Sequence, residues 1–194
     1  MTAQIILASA SPRRKELLDQ IKVAYRVHPV DLDETPLPNE MPLDYVQRLA
    51  AEKSAACMAQ LGSGLPVLAA DTAVVLGDLI MGKPKDRDDA FTMLRLLSGK
   101  MHRVYSAISL RGREHGQAVS ITDVTFRILT EDEIAAYWQS GEPVDKAGSY
   151  AIQGLGGVFV ESISGSFSGV VGLPLFETAE LLIREGIAIL QLER

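Results

Sequence analysis

Three places in this chain put charge where local structure disfavours it. The segment LASASPRRKELL, residues 7–18, is the first. Ser11 suits a helix N-cap and Pro12 the first helical position. Arg13, Arg14 and Lys15 then fall in the first helical turn, at the positive end of the helix dipole, where anions are favoured over cations. Free backbone N–H groups, the hydroxyls of Ser9 and Ser11, and two guanidiniums converge there, which suits a phosphate. Arginines that point into solvent or pair with nearby acids are an equally open reading.

The second place is Lys53. Val46, Leu49, Ala50, Lys53 and Cys57 recur at offsets 0, 3, 4, 7 and 11, the apolar stripe of a helix. An ammonium on that stripe needs a carboxylate or a phosphate, unless it snorkels from the stripe's edge to water. Glu52 beside it lies on another face. The third is LAADTAVVL, residues 68–76, where Asp71 and Thr72 interrupt an apolar strand. A lone carboxylate there costs roughly several kcal/mol, so a cation or metal must meet it; a strand that ends at Asp71 is the alternative.

Weaker signals accompany these. In MGKP, residues 81–84, Gly82 permits close backbone approach and Lys83 is a candidate phosphate ligand, although a plain turn explains the tetrapeptide better. In AIQGLGGVFV, residues 151–160, the glycines lead into an apolar strand rather than a helix, so a dinucleotide loop fails its context. A tight turn remains, with Gln153 as an amide able to read a base. Glu34 lies in a loop with Asp31 and Asp33; such acids can hold Mg²⁺ through oxygen, but solvated loop acids are commoner. His28, His102 and His115 share no metal-ligand spacing. Cations from three segments and carboxylates from two suit a polyphosphate held with a divalent metal and attacked by water.

The elements that must position these residues alternate. Strands are expected at 5–8, 25–29, 67–76, 79–81, 104–110, 118–128, 149–152 and 158–162. Helices are expected at 12–21, 42–61, 86–97, 131–139 and 174–184, with a proline- and acid-rich loop at 31–41. The alternation implies an α/β fold with a mixed twisted sheet flanked by helices. The 194 residues suffice for one substantial core, and one domain over 1–194 is expected, with room for two lobes around a cleft. Net charge is −6, against a nucleic-acid or anionic-membrane binder. Cys57 is the single cysteine, which excludes an intrachain disulfide and reads as a buried, inert thiol. No apolar run approaches the ~20 residues of a membrane span, and no signal-type segment opens the chain; a cytoplasmic protein is expected.

The chain resembles the Maf family of nucleoside triphosphate pyrophosphatases. The resemblance rests on SASPRR (9–14), DET (33–35), RLAAEKSA (48–55), AADT (69–72), GKP (82–84), LSGKMHRV (97–104), DKAGSYAIQG (145–154) and VVGLP (170–174), in that order over essentially the whole chain. It implies hydrolysis between the α- and β-phosphorus of a nucleoside triphosphate, giving monophosphate and pyrophosphate, with Mg²⁺ or Mn²⁺, as house-cleaning of the nucleotide pool. It implies a fold with a central cleft like that of inosine triphosphate pyrophosphatases, often dimeric. Carried over by motif, Asp71 is the general base or a metal ligand, and Glu34 an acidic metal or water ligand. Ser9, Arg13, Arg14, Lys53 and Lys83 are triphosphate-binding groups, with Lys53 and Lys83 counted among the catalytic set.

Arg13, Thr72 and Gln153 match the branch that resembles dTTP/UTP pyrophosphatases, with CTP and modified pyrimidine nucleotides as further substrates. A second branch, preferring 7-methyl-GTP, carries tryptophan at the first of these positions and glutamate at the third. Ser106-Ala107 stands where Thr-Gly is usual, and Phe167 where tyrosine is usual. The alternative to the enzyme is a non-catalytic nucleotide-binding regulator of septum formation. The intact set of Glu34, Lys53, Asp71 and Lys83 favours the enzyme, since a pure binder needs no carboxylate facing bound phosphate.

Overall fold

The computed structural model describes residues 2–62 and 64–189. The elements are β1 (Ile5–Leu7), α1 (Pro12–Gln20), β2 (Tyr25–Val27), α2 (Pro42–Leu61), β3 (Val67–Leu76), β4 (Leu79–Met81), α3 (Arg87–Leu97), β5 (Met101–Arg111), β6 (His115–Phe126), α4 (Glu131–Gln139), β7 (Val160–Ser164), α5 (Phe167–Val171) and α6 (Leu175–Arg184), with 3-10 turns at Ala147–Ser149 and Leu155–Phe159. The strands form one mixed sheet in the order β2-β1-β3-β5-β6-β7, and β4 also pairs with β3. β1 runs parallel to β2 and β3; the remaining pairings are antiparallel. This is the expected mixed α/β sheet flanked by helices.

The faces of β3 follow from its alternation. Ala73 and Val75 pack against Val46, Leu49 and Ala50 of α2, and Val67 and Ala69 pack near Cys57. Leu68, Ala70 and Val74 face the opposite way, into the larger core with Leu17 and Leu18 of α1, Leu94 and Leu97 of α3, and Leu181 and Leu182 of α6. Each such buried leucine stabilises the fold by roughly 1.5–3 kcal/mol relative to an exposed one. Asp71 therefore points toward α2, and Thr72 toward the other face.

One edge of β3 explains where a site can form. β1 pairs with it at Val67 and Leu68, and β4 at Val74, Val75 and Leu76. Residues 69–73 lack a strand partner on that edge among the described residues, while β5 covers the other edge from Val67 to Val75. The sheet order reverses at β1, with β2 on one side and β3 on the other, and ligands of such sheets bind beyond the carboxyl ends of the strands at such a reversal.

Three expectations are corrected. Residues 149–152 do not form a strand. Gly148 and Ser149 take φ +66° and +60°, in the left-handed region, which breaks an extended chain. Gly148 also packs so closely on β3 that a Cβ would lie 2.8 Å from Val74 Cγ1. The following strand is Val160–Ser164 rather than 158–162, because Val158 and Phe159 belong to a 3-10 turn. The short helix α5 was not expected; the Ser166 hydroxyl caps it by accepting the Gly169 N–H at 3.0 Å. At five residues it is too short for its periodicity to register.

Candidate active site

A cleft of about 560 Å³ opens at the uncovered edge of β3. Ser9, Arg13, Arg14, Glu34, Lys53, Asp71, Thr72, Lys83 and Gln153 all line it. The fold thus brings these nine candidate residues together from six separate stretches of chain.

The centre of the cleft is a charge cluster. Lys53 and Asp71 are both buried, with side chains 9% and 8% exposed. The Lys53 Nζ donates to Asp71 Oδ1 at 2.6 Å, and Glu34 Oε1 lies 2.6 Å from the same nitrogen. The ammonium on the apolar stripe of α2 is thereby paired twice, and the snorkelling alternative does not apply. Asp71 stays inside β3, opposite Ala107 of β5, so the strand does not end there. Burial pushes the Asp71 carboxyl up; Lys53 and Arg14 pull it down without reversing that direction. Burial also pushes Glu34 up, but the hydrogen bond and charge of Lys53, then Lys83 and Arg14, hold it below its usual value. Two neighbouring carboxylates are thus driven apart in proton affinity.

The segment after β1 builds the next wall. Ser11 occupies the N-cap of α1 with Pro12 after it, but its hydroxyl makes no capping bond. The Ser11 N–H donates to Ser9 Oγ at 3.2 Å instead. Arg14 is held rather than free in solvent: Nη1 donates to Ser9 Oγ at 3.1 Å and Nε to the Gly172 carbonyl at 2.8 Å. Burial lowers its pKa, offset in part by Asp71. Burial lowers the pKa of Arg13 as well, offset in part by the charges of Asp145 and Glu16. Neither arginine forms an ion pair among the described residues. Lys83 is exposed, its Nζ 4.0 Å from Glu34 Oε2.

Glu34 is placed by α2. The Tyr45 hydroxyl donates to the Glu34 carbonyl at 2.9 Å. Arg48 grips Glu40 through two bonds of 2.6 and 2.7 Å and reaches the Thr35 carbonyl at 3.4 Å. The 31–41 loop is therefore fastened to the helix that carries Lys53. Tyr45 and Arg48 were not singled out from the sequence, yet Tyr45, Leu49 and Lys53 follow at intervals of four, which places them on one helix face. Asp33 does not join Glu34 in the cleft and accepts the Thr35 N–H at 2.9 Å, whereas Asp31 lines the cleft with Glu34. No group of three or more His, Cys, Asp or Glu suited to a metal occurs among the described residues. Asp71 and Glu34, joined through Lys53, offer hard carboxylate oxygens at the centre of the cleft, with Asp31 and Asp145 elsewhere on its wall, which suits a cation that takes one or two carboxylates together with phosphate oxygens.

The histidines stay outside this chemistry. His102 is buried against Phe126 and Tyr150, its Nε2 2.9 Å from the Tyr150 hydroxyl, and burial lowers its pKa to about 4. Cys57 is buried and free, and burial raises its thiol pKa. No helix among the described residues is long and apolar enough to cross a membrane.

Comparison with known proteins bears on this cleft. A protein of Pseudoalteromonas translucida named dTTP/UTP pyrophosphatase is 51% identical over 94% of this chain and 97% of its own. Another of that name from Anaeromyxobacter dehalogenans is 52% identical over 97% of each chain. Among solved structures, the Staphylococcus aureus Ham1 protein aligns with a TM-score of 0.47 at 17% identity, over 63% of this chain and 71% of that one. The family model described as Maf-like protein matches residues 4–185, and the chain belongs to that family.

Proposed function

We propose that this chain hydrolyses nucleoside triphosphates, dTTP and UTP foremost, at the bond between the α- and β-phosphorus, releasing monophosphate and pyrophosphate. The observation that carries the reading is Asp71: a buried carboxylate on the open edge of β3, 2.6 Å from Lys53, in a cleft whose walls hold Arg13, Arg14 and Lys83. Relatives sharing about half of their residues with this chain and named dTTP/UTP pyrophosphatase support the choice of substrate.

The chemistry asks little covalent help of the protein. Arg14, anchored on Ser9 and Gly172, and Lys83 at the rim neutralise the polyphosphate. Asp71, with its raised proton affinity, takes a proton from the attacking water. Lys53 holds Asp71 and Glu34 in register, so the base is oriented before substrate arrives. Asp71 and Glu34 would hold Mg²⁺ or Mn²⁺, whose charge would offset that building on the phosphates. Arg13, Thr72 and Gln153, which also line the cleft, select the base. The reaction would act on the cytoplasmic nucleotide pool.

A panel of dTTP, UTP, CTP, GTP and 7-methyl-GTP with Mg²⁺ tests the reading. Turnover of dTTP and UTP ahead of the purines is expected. Turnover confined to 7-methyl-GTP would overturn the roles of Arg13, Thr72 and Gln153. Tight binding of UTP with no turnover of any nucleotide would favour the regulator.

A further inference from the structure

Thr72 and Ser106 face each other across β3 and β5, and their hydroxyl oxygens lie 2.9 Å apart. Ser106 is fully buried, and its hydroxyl also donates to the Gly169 carbonyl at 2.6 Å. A carbonyl oxygen only accepts, and a serine hydroxyl has one proton. Ser106 therefore has nothing left to give Thr72, so the bond between the two hydroxyls carries the proton of Thr72. What Thr72 retains is lone-pair capacity. Its Oγ1 faces Gly172, where a Cβ would lie 3.6 Å away, and Thr72 lines the cleft.

We propose that Ser106 is a positioning residue that fixes Thr72 as a pure hydrogen-bond acceptor, and that Thr72 receives the N3–H of a uracil or thymine ring. The inference rests on the pyrimidine nucleotide reading above. An acceptor cannot serve phosphate oxygens, which at neutral pH are acceptors themselves. UTP and dTTP differ at C2′ and C5 but share the imide N3–H. Cytosine has the same outline with an acceptor at N3, so it meets Thr72 lone pair to lone pair. Discrimination of this kind is strong because the wrong base leaves a polar group unpaired.

The test uses α,β-methylene analogues, which bind without turnover. Calorimetric titrations would compare the analogues of UTP, 3-methyl-UTP and CTP on the wild-type protein. The UTP analogue is expected to bind about tenfold tighter than the other two. CTP controls for the bulk of the 3-methyl group. In Ser106→Ala, Thr72 regains a proton to turn toward the cleft, and the UTP-to-CTP affinity ratio should fall toward one. Ser106→Thr, which keeps a hydroxyl at the position, should restore the ratio. Equal binding of the three analogues to wild type, or a ratio unchanged in Ser106→Ala, would overturn the proposal. If Ser106→Ala does not fold, the wild-type comparison still decides. Hydrolysis of UTP itself is scored separately. The expected binding pattern without hydrolysis would sink only the hydrolase reading, and hydrolysis without N3 preference would sink only this inference.

Discussion

Two loops of this molecule resemble anion cradles in sequence, and only one is open. The Ser9–Arg14 loop enters α1 with no acidic residue in the first turn and no side-chain cap. Its hydroxyl and guanidinium groups are oriented by one another and by the Gly172 carbonyl. The Gly154–Gly157 loop is already filled. The Leu155 and Gly156 N–H groups each donate to the Glu142 carboxylate at 2.9 Å, and the Tyr137 hydroxyl donates to it at 2.8 Å. Any Cβ at Gly154 would collide with that carboxylate. Burial pushes Glu142 up, but the two amides and Tyr137 hold it below its usual value. Amides that converge bind an anion whatever its source. A loop is open to a ligand only where the chain has not supplied its own anion.

The filled loop also orders its neighbour. Tyr137 accepts the Ala151 N–H at 3.0 Å, so Gln153 lies between two points held by one Tyr–Glu pair.

The contrast can be broken at both loops. Asp71→Asn, which removes the base beside the open loop, should lower pyrophosphate release from UTP by about 10³-fold while nucleotide binding persists, as a steady-state assay and a titration would separate. Arg14→Ala should reduce kcat/KM by about 30- to 100-fold, mostly through KM, with little change in the urea midpoint. Glu142→Gln should do the reverse. Its amide NH₂ meets backbone donors, so the fold should lose about 2 kcal/mol in urea titrations while inorganic triphosphate affinity stays within about twofold. A Glu142→Gln protein of unchanged stability would mean that the second loop is not held by its internal anion.

The smallest effect is on pH. A base works ionised, and burial raises Asp71, so activity should fail on acidification at a pH above the ordinary carboxylate range. Lys53 pulls that affinity down, so Lys53→Met should move the acid limb of kcat/KM further up. A limb that stays in place would deny the pairing its electrostatic role.

Much of the open loop was legible in the sequence, because its signals are local. Pro12, the helix start and the two arginines are consecutive, and the apolar stripe containing Lys53 repeats within one helix. The partner of Lys53 was not legible, since Asp71 and Glu34 reach it across 18 and 19 residues of chain that only the fold closes. The filled loop shows in the sequence only as a tight turn for the same reason. Glu142 arrives from beyond α4 through Gly141, at φ +75°, and nothing near Gly154 announces it. Residues 149–152 look like a strand by composition, yet close packing of Gly148 on Val74 imposes a left-handed turn. Ser106 gave a signal only as a departure from the usual threonine, and its bond to Gly169 depends on α5.

The most direct test of the open cleft's chemistry is phosphorus NMR of UTP incubated with the purified protein and Mg²⁺. Resonances of UMP and pyrophosphate, absent with Asp71→Asn, are the predicted result. UDP and orthophosphate would place cleavage at the wrong bond and contradict the assignment.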